Sequence, residues 1–292
     1  MTKNSFKLID KDIDILKALF RFRVMTIDHL IKLTGRQQQH LNSRLLKLEA
    51  RHYVNRKRNN PFEPYIYSVG YKSAPVLAGL GMGDKKLIDA QAKRMRDMKP
   101  LFIPHALQIT NTHLILELAC ESTSTDLLEW KEGQQIYDFV IIRDGGKEEK
   151  LPVRPDAYFS LGYDTSKSRS RGHYFLEVDR GTSNHSTFAK KIRAYWNYYQ
   201  QSLLKEKYNV SVRGFRVITT TRTEERAKNL CEVSKNVLPE NSGSFYYFTP
   251  ESNLSYKDPT NIFQDIFTSP LDYETKKLYS LISPLATSNP NQ

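Results

Sequence analysis

The stretch HYFLEVDRGTSNHSTFAKK, residues 173 to 191, constrains the fold more than any other part of the chain. Its first residues predict a buried strand, the Asp-Arg-Gly-Thr segment a tight turn, and the remainder a helix. The strand nevertheless carries two carboxylates near its end, Glu177 and Asp179. Charges at the end of a buried strand are costly unless they are paired or bind a metal. The stretch therefore predicts a strand, turn and helix unit with a polar site at the end of the strand.

The flanking residues extend this unit into a domain of helices and strands. Residues 103 to 123 predict an amphipathic helix, and residues 130 to 163 are rich in predicted strands, with a hairpin turn at Gly145-Gly146. After the helix that follows the acidic strand come a buried strand, a helix capped by Thr223 and a last short strand. The predicted order is helix, several strands, helix, strand, helix, strand.

Three acidic residues in this domain are candidates for one site. Glu117 lies on the first helix, Asp156 follows Pro155 on one predicted strand, and Glu177 lies on the next. Neighbouring antiparallel strands place residues such as Asp156 and Glu177 side by side. Carboxylate oxygens suit Mg²⁺ or Mn²⁺, and such an ion activates water for phosphodiester hydrolysis. The sequence therefore predicts a metal site formed by these three residues.

The same residues carry a resemblance to known families. The segment RPDAYFS supplies Pro-Asp and FLEVDRGT supplies an acidic strand, after an acidic helix and before a helix and strand pair. This pattern resembles the PD-(D/E)xK nuclease fold over about residues 103 to 250. The run LEVDRGT, followed by a helix with Lys and then Tyr, resembles plasmid replication-relaxation proteins. It is also similar to the nuclease-like (MOBC-type) class of plasmid mobilisation relaxases.

The resemblance implies an α+β protein, with a winged helix-turn-helix followed by a PD-(D/E)xK restriction-endonuclease-like domain. It implies site-specific, metal-dependent nicking of plasmid or mobile-element DNA, with Mg²⁺ or Mn²⁺ as the cofactor. One position departs from the family pattern, because Asp179 stands where the motif has Lys. Either the catalytic Lys has moved onto the next helix, as Lys190 or preferably Lys191, or the site is degenerate and the domain only binds DNA.

Asp179 itself has several interpretations. It is a candidate catalytic residue and extra metal ligand beside Asp156, Glu177 and Lys191. Alternatively it caps the turn or pairs with Arg180. The turn formed by residues 180 to 182 leads into a helix N-terminus, a geometry that favours a phosphate, although an ordinary glycine turn has the same sequence.

The first part of the chain predicts three helices and a hairpin. Residues 8 to 22 have apolar residues at helical spacing, Thr26 caps a second helix that ends at Gly35, and residues 36 to 51 predict a third. The segment YVNRKRNNPFEPYIYSVG then predicts two strands around a basic turn. Three helices followed by a hairpin with a basic tip resemble a winged helix.

The polar residues of this domain suit duplex DNA. Gln and Asn can bond adenine in the major groove, Arg can bond guanine, and a basic wing tip can contact phosphates or enter the minor groove. A solvated polar face and a protein-docking module are the alternatives. The predicted DNA-binding residues are Arg36, Gln37, Gln38, Gln39, Asn42, Arg44, Lys57, Arg58 and Arg180.

The net charge and composition of the chain predict its partner, its location and its domain divisions. The net charge of +12 favours a polyanionic partner, although generally basic proteins also exist. The two cysteines, the N-terminus MTKNSFKLID and the absence of a long apolar run predict a cytoplasmic protein with no membrane partner. The partner is then double-stranded DNA, with a homodimer or relaxosome partners also compatible. The predicted divisions are a winged helix over 1–82, a connector over 83–102, a nuclease-like domain over 103–250 and an extension over 251–292 with a disordered end.

Three functions remain open from the sequence. The first is a metal-dependent nickase. The second is a catalytically inactive nuclease-fold regulator or relaxosome accessory protein, and the third is a docking adaptor. A tyrosine nucleophile also stays open, although the aromatic helix around Tyr195 predicts core packing, with stacking on unpaired bases as the alternative.

Overall fold

The computed structural model describes residues 6–144, 147–165, 168–181, 183–212, 214–242 and 245–282. It divides into two compact units, Met1–Leu114 and Ile115–Gln292. Both helices and strands are present throughout, so the predicted α+β class is confirmed. The Gly145-Gly146 turn, Thr182 and the end of the chain from residue 283 lie outside the described residues. The domain boundaries predicted at residues 82, 102 and 250 stay predictions.

The first unit contains five complete helices and a small three-stranded sheet in its described part. Its order, helix, short strand, two helices and a hairpin, is consistent with a winged helix. The sheet has the order β1-β3-β2 with antiparallel pairs. The elements are α1 Asp10–Phe22, β1 Met25–Thr26, α2 Ile27–Thr34, α3 Gln38–Glu49, β2 Val54–Lys57, β3 Ile66–Val69, α4 Ser73–Gly79 and α5 Lys85–Arg96.

Local sequence signals set the limits of these helices. The Thr26 hydroxyl accepts a hydrogen bond from the His29 N–H at 3.4 Å, and Gly35 ends α2 with a left-handed φ of 65°. The third helix is shorter than predicted. Gln37 has the extended backbone of an N-cap, so Arg36 and Gln37 precede α3 and do not lie on its face.

The segment predicted to be a connector contributes to the core of the first unit. Helix α5 buries Ile88, Ala92 and Met95, which recur at spacings of four and three residues. The sequence showed no clear apolar stripe because the buried face is narrow and uses one alanine and one methionine. Burial against the rest of the unit explains why this polar, basic segment is helical.

Helix α6, Ile103–Glu121, runs from the first unit into the second. The second unit then contains α7 His185–Gln200, α8 Leu203–Tyr208 and α9 Glu224–Lys235, with the strands β4 Asp126–Glu132, β5 Asp138–Asp144, β6 Lys147–Val153, β7 Ala157–Asp164, β8 Arg169–Asp179, β9 Arg216–Thr221, β10 Tyr246–Pro250, β11 Phe267–Thr268 and β12 Leu278–Tyr279. Short 3₁₀ helices cover Pro100–Phe102, Gln134–Ile136, Glu240–Ser242, Glu251–Asn253 and Pro259–Phe263. Within the described ranges, no helix combines the length and apolar character needed to cross a bilayer.

A seven-stranded mixed sheet is the centre of the second unit, in the order β12-β11-β10-β9-β8-β7-β4. Strands β8, β9 and β10 are parallel, and the other pairs are antiparallel. Parallel neighbours need crossover connections, which α7 and α9 provide. Both helices share one apolar core with the sheet, and aromatic side chains such as Tyr158, Phe175 and Phe215 dominate it. The hairpin β5-β6 packs against α7 and adds Val140 and Leu151 to this core.

The predicted C-terminal extension supplies two strands that the sequence did not indicate. Strands β11 and β12 have only two residues each and add to the edge of the sheet. The Leu281 carbonyl accepts hydrogen bonds from the Tyr174 hydroxyl at 2.7 Å and from Arg216 Nη1 at 3.0 Å. These bonds anchor the extension to the buried centre of the sheet.

Candidate functional site

The structure brings Asp156 and Glu177 together at the end of a strand pair. Strands β7 and β8 are antiparallel, with Ala157 opposite Leu176. The Asp156 N–H donates to the Leu176 carbonyl at 2.9 Å, and the Val178 N–H donates to Asp156 Oδ2 at 2.8 Å. Asp156 immediately precedes β7, the strand that was predicted to contain it, and still bonds to β8. The two carboxylates therefore lie close together, just before the start of β7 and near the end of β8.

Glu177 is buried and both of its oxygens accept hydrogen bonds. The residue is 3% exposed, Lys191 Nζ lies 2.5 Å from Oε2, and the Tyr195 hydroxyl lies 2.5 Å from Oε1. Lys191 and Tyr195 are four residues apart on α7, so they project from one face of the helix. The structure therefore places Lys191, the preferred substitute for the motif lysine, in an ion pair with Glu177.

The charges in this cluster shift one another's pKa values. Burial raises the pKa of Glu177, the nearby Asp156 adds to the rise, and the Lys191 ammonium opposes it. Burial alone would lower the pKa of Lys191, but the charge of Glu177, the hydrogen bond to it and the charges of Asp156 and Asp179 together outweigh burial, and the pKa is raised. Lys191 is therefore a cation at neutral pH.

Tyr195 is the site residue whose role the sequence did not reveal. Its ring packs in the core as predicted, and its buried hydroxyl donates to Glu177. Burial, with the Glu177 charge, raises the pKa of Tyr195 well above its usual value. The phenol therefore acts as a hydrogen-bond donor, and its ring is not available to stack on unpaired bases. The available signal was the spacing of Lys191 and Tyr195, which puts two donors on one helix face after an acidic strand.

Asp179, the last residue of β8, forms an ion pair with an arginine on α9. Its Oδ1 accepts from Arg226 Nε and from the Gly181 N–H, both at 2.8 Å, and its Oδ2 accepts from Arg226 Nη2 at 3.0 Å. Asp179 is 7% exposed, so this is a buried bidentate ion pair. Of the interpretations from the sequence, the turn cap is present and the pairing with Arg180 is not. Arg180 instead pairs with Glu251 at 3.1 Å.

The three-carboxylate metal site expected from the sequence is not assembled. Among the described residues, no group of three or more His, Cys, Asp or Glu side chains could hold a metal ion. Asp179 is engaged by Arg226, and Glu117, half-buried on α6, does not join Asp156 and Glu177 in such a group. Asp156 and Glu177 are two carboxylates, and carboxylate oxygens are the donor type that Mg²⁺ and Mn²⁺ prefer. Mg²⁺ in particular keeps several waters and commonly binds through one or two carboxylates plus substrate phosphates.

A second polar cluster lies on the neighbouring strands β4, β7 and β8. Glu129 on β4 accepts from Lys131 Nζ at 2.8 Å and from Arg171 Nη2 at 2.5 Å. The buried His173 Nδ1 shares a hydrogen bond of 2.7 Å with the Tyr158 hydroxyl. Burial lowers the pKa of His173 to about 4, and the Arg171 charge adds to the shift. His173 is therefore neutral in the folded protein at physiological pH.

We expect the second unit to lose stability as the pH falls from about 6.5 to about 4. In this window the unfolded chain binds a proton at His173 and the folded chain does not, so the free energy of unfolding decreases with falling pH. The expected loss from this residue is about 3 kcal/mol, measured by urea unfolding across the window. His173→Gln cannot titrate, and a pH slope as steep as that of the wild type would contradict this assignment.

The predicted DNA-binding residues of the first unit fall into two groups. Arg36 donates to the Lys11 carbonyl at 2.8 Å and to Asp14 at 2.7 Å. Arg44 makes two hydrogen bonds to the fully buried carboxylate of Asp12. These two arginines therefore hold the region around α3 against α1. The exposed members of the set are Gln37, Gln38, Gln39, Asn42 and Arg58.

The hairpin that carries the basic turn is tied to its surroundings at its base. Lys57 is the last residue of β2, and its Nζ donates to the carbonyls of Arg96 and Met98. Burial lowers the pKa of Lys57, with the Asp97 charge opposing the shift. Arg58, at the start of the loop, has its guanidinium 4.7 Å from the centroid of the Tyr65 ring. Arg58 is thus exposed and lies against Tyr65, whereas Lys57 is engaged by backbone carbonyls.

Comparison with known proteins identifies one family. The model of the family described as Replication-relaxation matches residues 16–213, more than half of the 292 residues. This range contains Asp156, Glu177, Lys191 and Tyr195. No curated protein and no solved structure matches the chain. The extent of the family match nevertheless establishes that this chain belongs to the replication-relaxation family.

Proposed function

We propose that this protein binds a specific duplex site on a plasmid or mobile element and nicks one DNA strand there, with Mg²⁺ or Mn²⁺ as the cofactor. Its family gives it a role in plasmid or mobile-element replication or relaxation. The observation that carries the nicking proposal is the cluster of Asp156, Glu177 and Lys191 at the end of a strand pair.

The cluster supports the resemblance to PD-(D/E)xK nucleases, with the lysine displaced. The motif places Lys two residues after the acidic residue, where this chain has Asp179. Here the cation reaches Glu177 from α7, because Lys191 Nζ lies 2.5 Å from its Oε2. In the motif the lysine beside the carboxylate comes from the strand. Because α7 packs on the face of the sheet that carries Glu177, a lysine on this helix can take the same position beside the carboxylate.

Each residue of the site would have a separate role in nicking. Asp156 and Glu177 would hold the ion, which supplies an activated water and neutralises charge on the attacked phosphate when it is bound. Lys191 places a positive charge beside Glu177, where it stabilises the negative charge that develops on the phosphate. Tyr195 fixes the orientation of Glu177 through its hydroxyl. Burial of Glu177 and Tyr195 strengthens the hydrogen bond between them by limiting contact with water.

The first unit supplies surfaces suited to duplex DNA. Gln38, Gln39 and Asn42 are exposed at the N-terminal half of α3, and their amides can bond adenine in the major groove. Arg58 on the wing can contact phosphates. The net charge of +12 adds attraction to any polyanion. We therefore assign site choice to α3 and the wing.

A nicking assay on supercoiled plasmid that carries the DNA flanking the gene tests this proposal. With Mg²⁺ or Mn²⁺, we expect open circles from the wild type, and with EDTA we expect none. Asp156→Asn is expected to give intact plasmid under every condition, because the amide weakens the ion-binding pair. Asp138→Asn, a carboxylate on β5 that bonds Tyr198, serves as the matched control.

The second candidate function is a DNA-binding regulator or relaxosome accessory protein without nuclease activity. Two observations favour it. The motif's lysine position is occupied by Asp179, which is paired with Arg226, and both oxygens of Glu177 accept hydrogen bonds within the protein. Intact plasmid in every lane, together with tight and salt-sensitive DNA binding, would establish this function in place of nicking.

A further inference from the structure

The tip of the wing presents a phenylalanine almost completely to solvent. Phe62, in the loop between β2 and β3, is 97% exposed, the highest value among the large apolar side chains of the described residues. Isolated exposed apolar residues are common on protein surfaces. Phe62 differs from such residues in two respects: hydrogen bonds order its loop, and cations lie close to it in the sequence.

Side-chain hydrogen bonds order the backbone of the loop that carries Phe62. Asn60 Oδ1 accepts from the N–H groups of Phe62 at 2.9 Å and Glu63 at 3.1 Å, and Asn60 Nδ2 donates to Glu63 at 2.8 Å. This is an Asx turn, which fixes the backbone on both sides of the ring. Arg58 Nη1 also donates to the Pro61 carbonyl at 3.1 Å. The backbone that carries the exposed ring is therefore ordered.

The surroundings of the ring are basic. Residues 51 to 65 contain four cations, Arg51, Arg56, Lys57 and Arg58, and one carboxylate, Glu63. Arg56 is paired with Glu49 at 3.0 Å, and Arg58, in the same loop as Phe62, is exposed. The Glu63 carboxylate is engaged by Asn60. Arg56 and Arg58 lie 4.3 and 4.7 Å from the centroid of the Tyr65 ring, and this stacking keeps both guanidinium groups at the base of the loop. An ordered loop that presents an apolar ring close to the exposed Arg58 complements duplex DNA, which has stacked bases and negatively charged phosphates.

We propose that Phe62 is a wedge that enters a base step of duplex DNA from the minor groove, unstacks it and bends the helix. Arg58 contacts phosphates beside the opened step. This inference rests on the proposed function, since it requires that the first unit binds DNA. Insertion is cheapest at pyrimidine–purine steps, which unstack most easily, so the bound site contains such a step under the wing.

Duplexes that tile the DNA flanking the gene, each carrying the fluorescent base 2-aminopurine, test the wedge. Wild type is expected to increase the fluorescence at one step and to shorten the end-to-end distance measured by energy transfer. Phe62→Ala is expected to lose both signals and to bind about tenfold more weakly, while Phe62→Leu keeps a reduced signal. The dependence of affinity on salt is expected to stay the same, because the phosphate contacts are unchanged.

The matched control is Leu87→Ala, which removes another exposed apolar side chain of the first unit, 68% exposed on α5. We expect it to behave as the wild type does. If the wild type binds DNA and Phe62→Ala keeps the fluorescence signal, the wedge is wrong and the proposed DNA binding stands. If the wild type binds none of the duplexes, the proposed function fails and the wedge fails with it. A loss in Phe62→Ala confined to binding of anionic lipid vesicles would assign the tip to a membrane surface and overturn the wedge.

Discussion

Glu177→Gln is expected to reduce nicking by about 10²–10³-fold or more, with the protein still folded. The substitution removes the negative charge that would hold the ion and that pairs with Lys191, while the side chain keeps its length. One amide oxygen can still accept a hydrogen bond from Lys191 or Tyr195, so the packing around the residue is retained. The measurement is the initial rate of open-circle formation from supercoiled plasmid, with circular dichroism to verify the fold.

Glu149→Gln is the matched control for this experiment. Glu149 lies on β6 and pairs with Arg193 of α7 at 2.9 Å, and the pair is exposed. The control therefore removes a carboxylate that bonds to the same helix as Glu177 does, without touching the site. Equal nicking by the wild type and Glu177→Gln would remove Glu177 from the chemistry and leave the ion pair with Lys191 a structural role only.

Arg226→Met is expected to lower the free energy of unfolding of the second unit by about 3–5 kcal/mol. Arg226 provides both hydrogen bonds of the bidentate pair with Asp179, and its Nη2 also donates to the Ser183 carbonyl at 2.6 Å. Removing the arginine leaves a buried carboxylate whose remaining hydrogen bond comes from the Gly181 N–H. The loss follows from this uncompensated charge and is measured by urea unfolding.

The double variant Asp179→Asn with Arg226→Met isolates the charge effect. Because the buried carboxylate is then neutral, we expect the double variant to be more stable than Arg226→Met alone. Arg193→Met, which breaks the exposed pair with Glu149, is expected to cost less than about 1 kcal/mol. An Arg226→Met variant that unfolds at the wild-type urea concentration would show that Asp179 does not depend on this partner.

The features predicted well from the sequence depend on short segments of chain. Thr26 and Thr223 cap helices as expected, because a cap is a hydrogen bond between residues three apart. The juxtaposition of Asp156 with Glu177 follows from one hairpin, in which the register of neighbouring strands fixes the partners. The preference for Lys191 over Lys190 had no local pattern behind it, and the pairing of Lys191 with Glu177 comes from the packing of α7 on the sheet.

The features missed depend on residues far apart in the chain. Asp179 finds Arg226, which is 47 residues away on α9, and no local pattern connects them. Arg44 was expected to read bases, yet the buried Asp12 on α1 takes its guanidinium. The strands β11 and β12 are two residues long, too short for any alternation of polar and apolar residues to indicate them. In each case tertiary packing determines the contact, and the local sequence does not reveal it.

One helix supplies both hydrogen-bond partners of Glu177, so local unfolding of that helix would affect the whole site. Lys191 and Tyr195 both come from α7, whereas Asp156 and Glu177 come from the sheet. If α7 detaches while the sheet stays intact, Glu177 loses its cation and both hydrogen bonds at once. The site would then switch off as one cooperative unit, with an energy set by the docking of a single helix. Native-state hydrogen exchange of the α7 amides would report that energy directly.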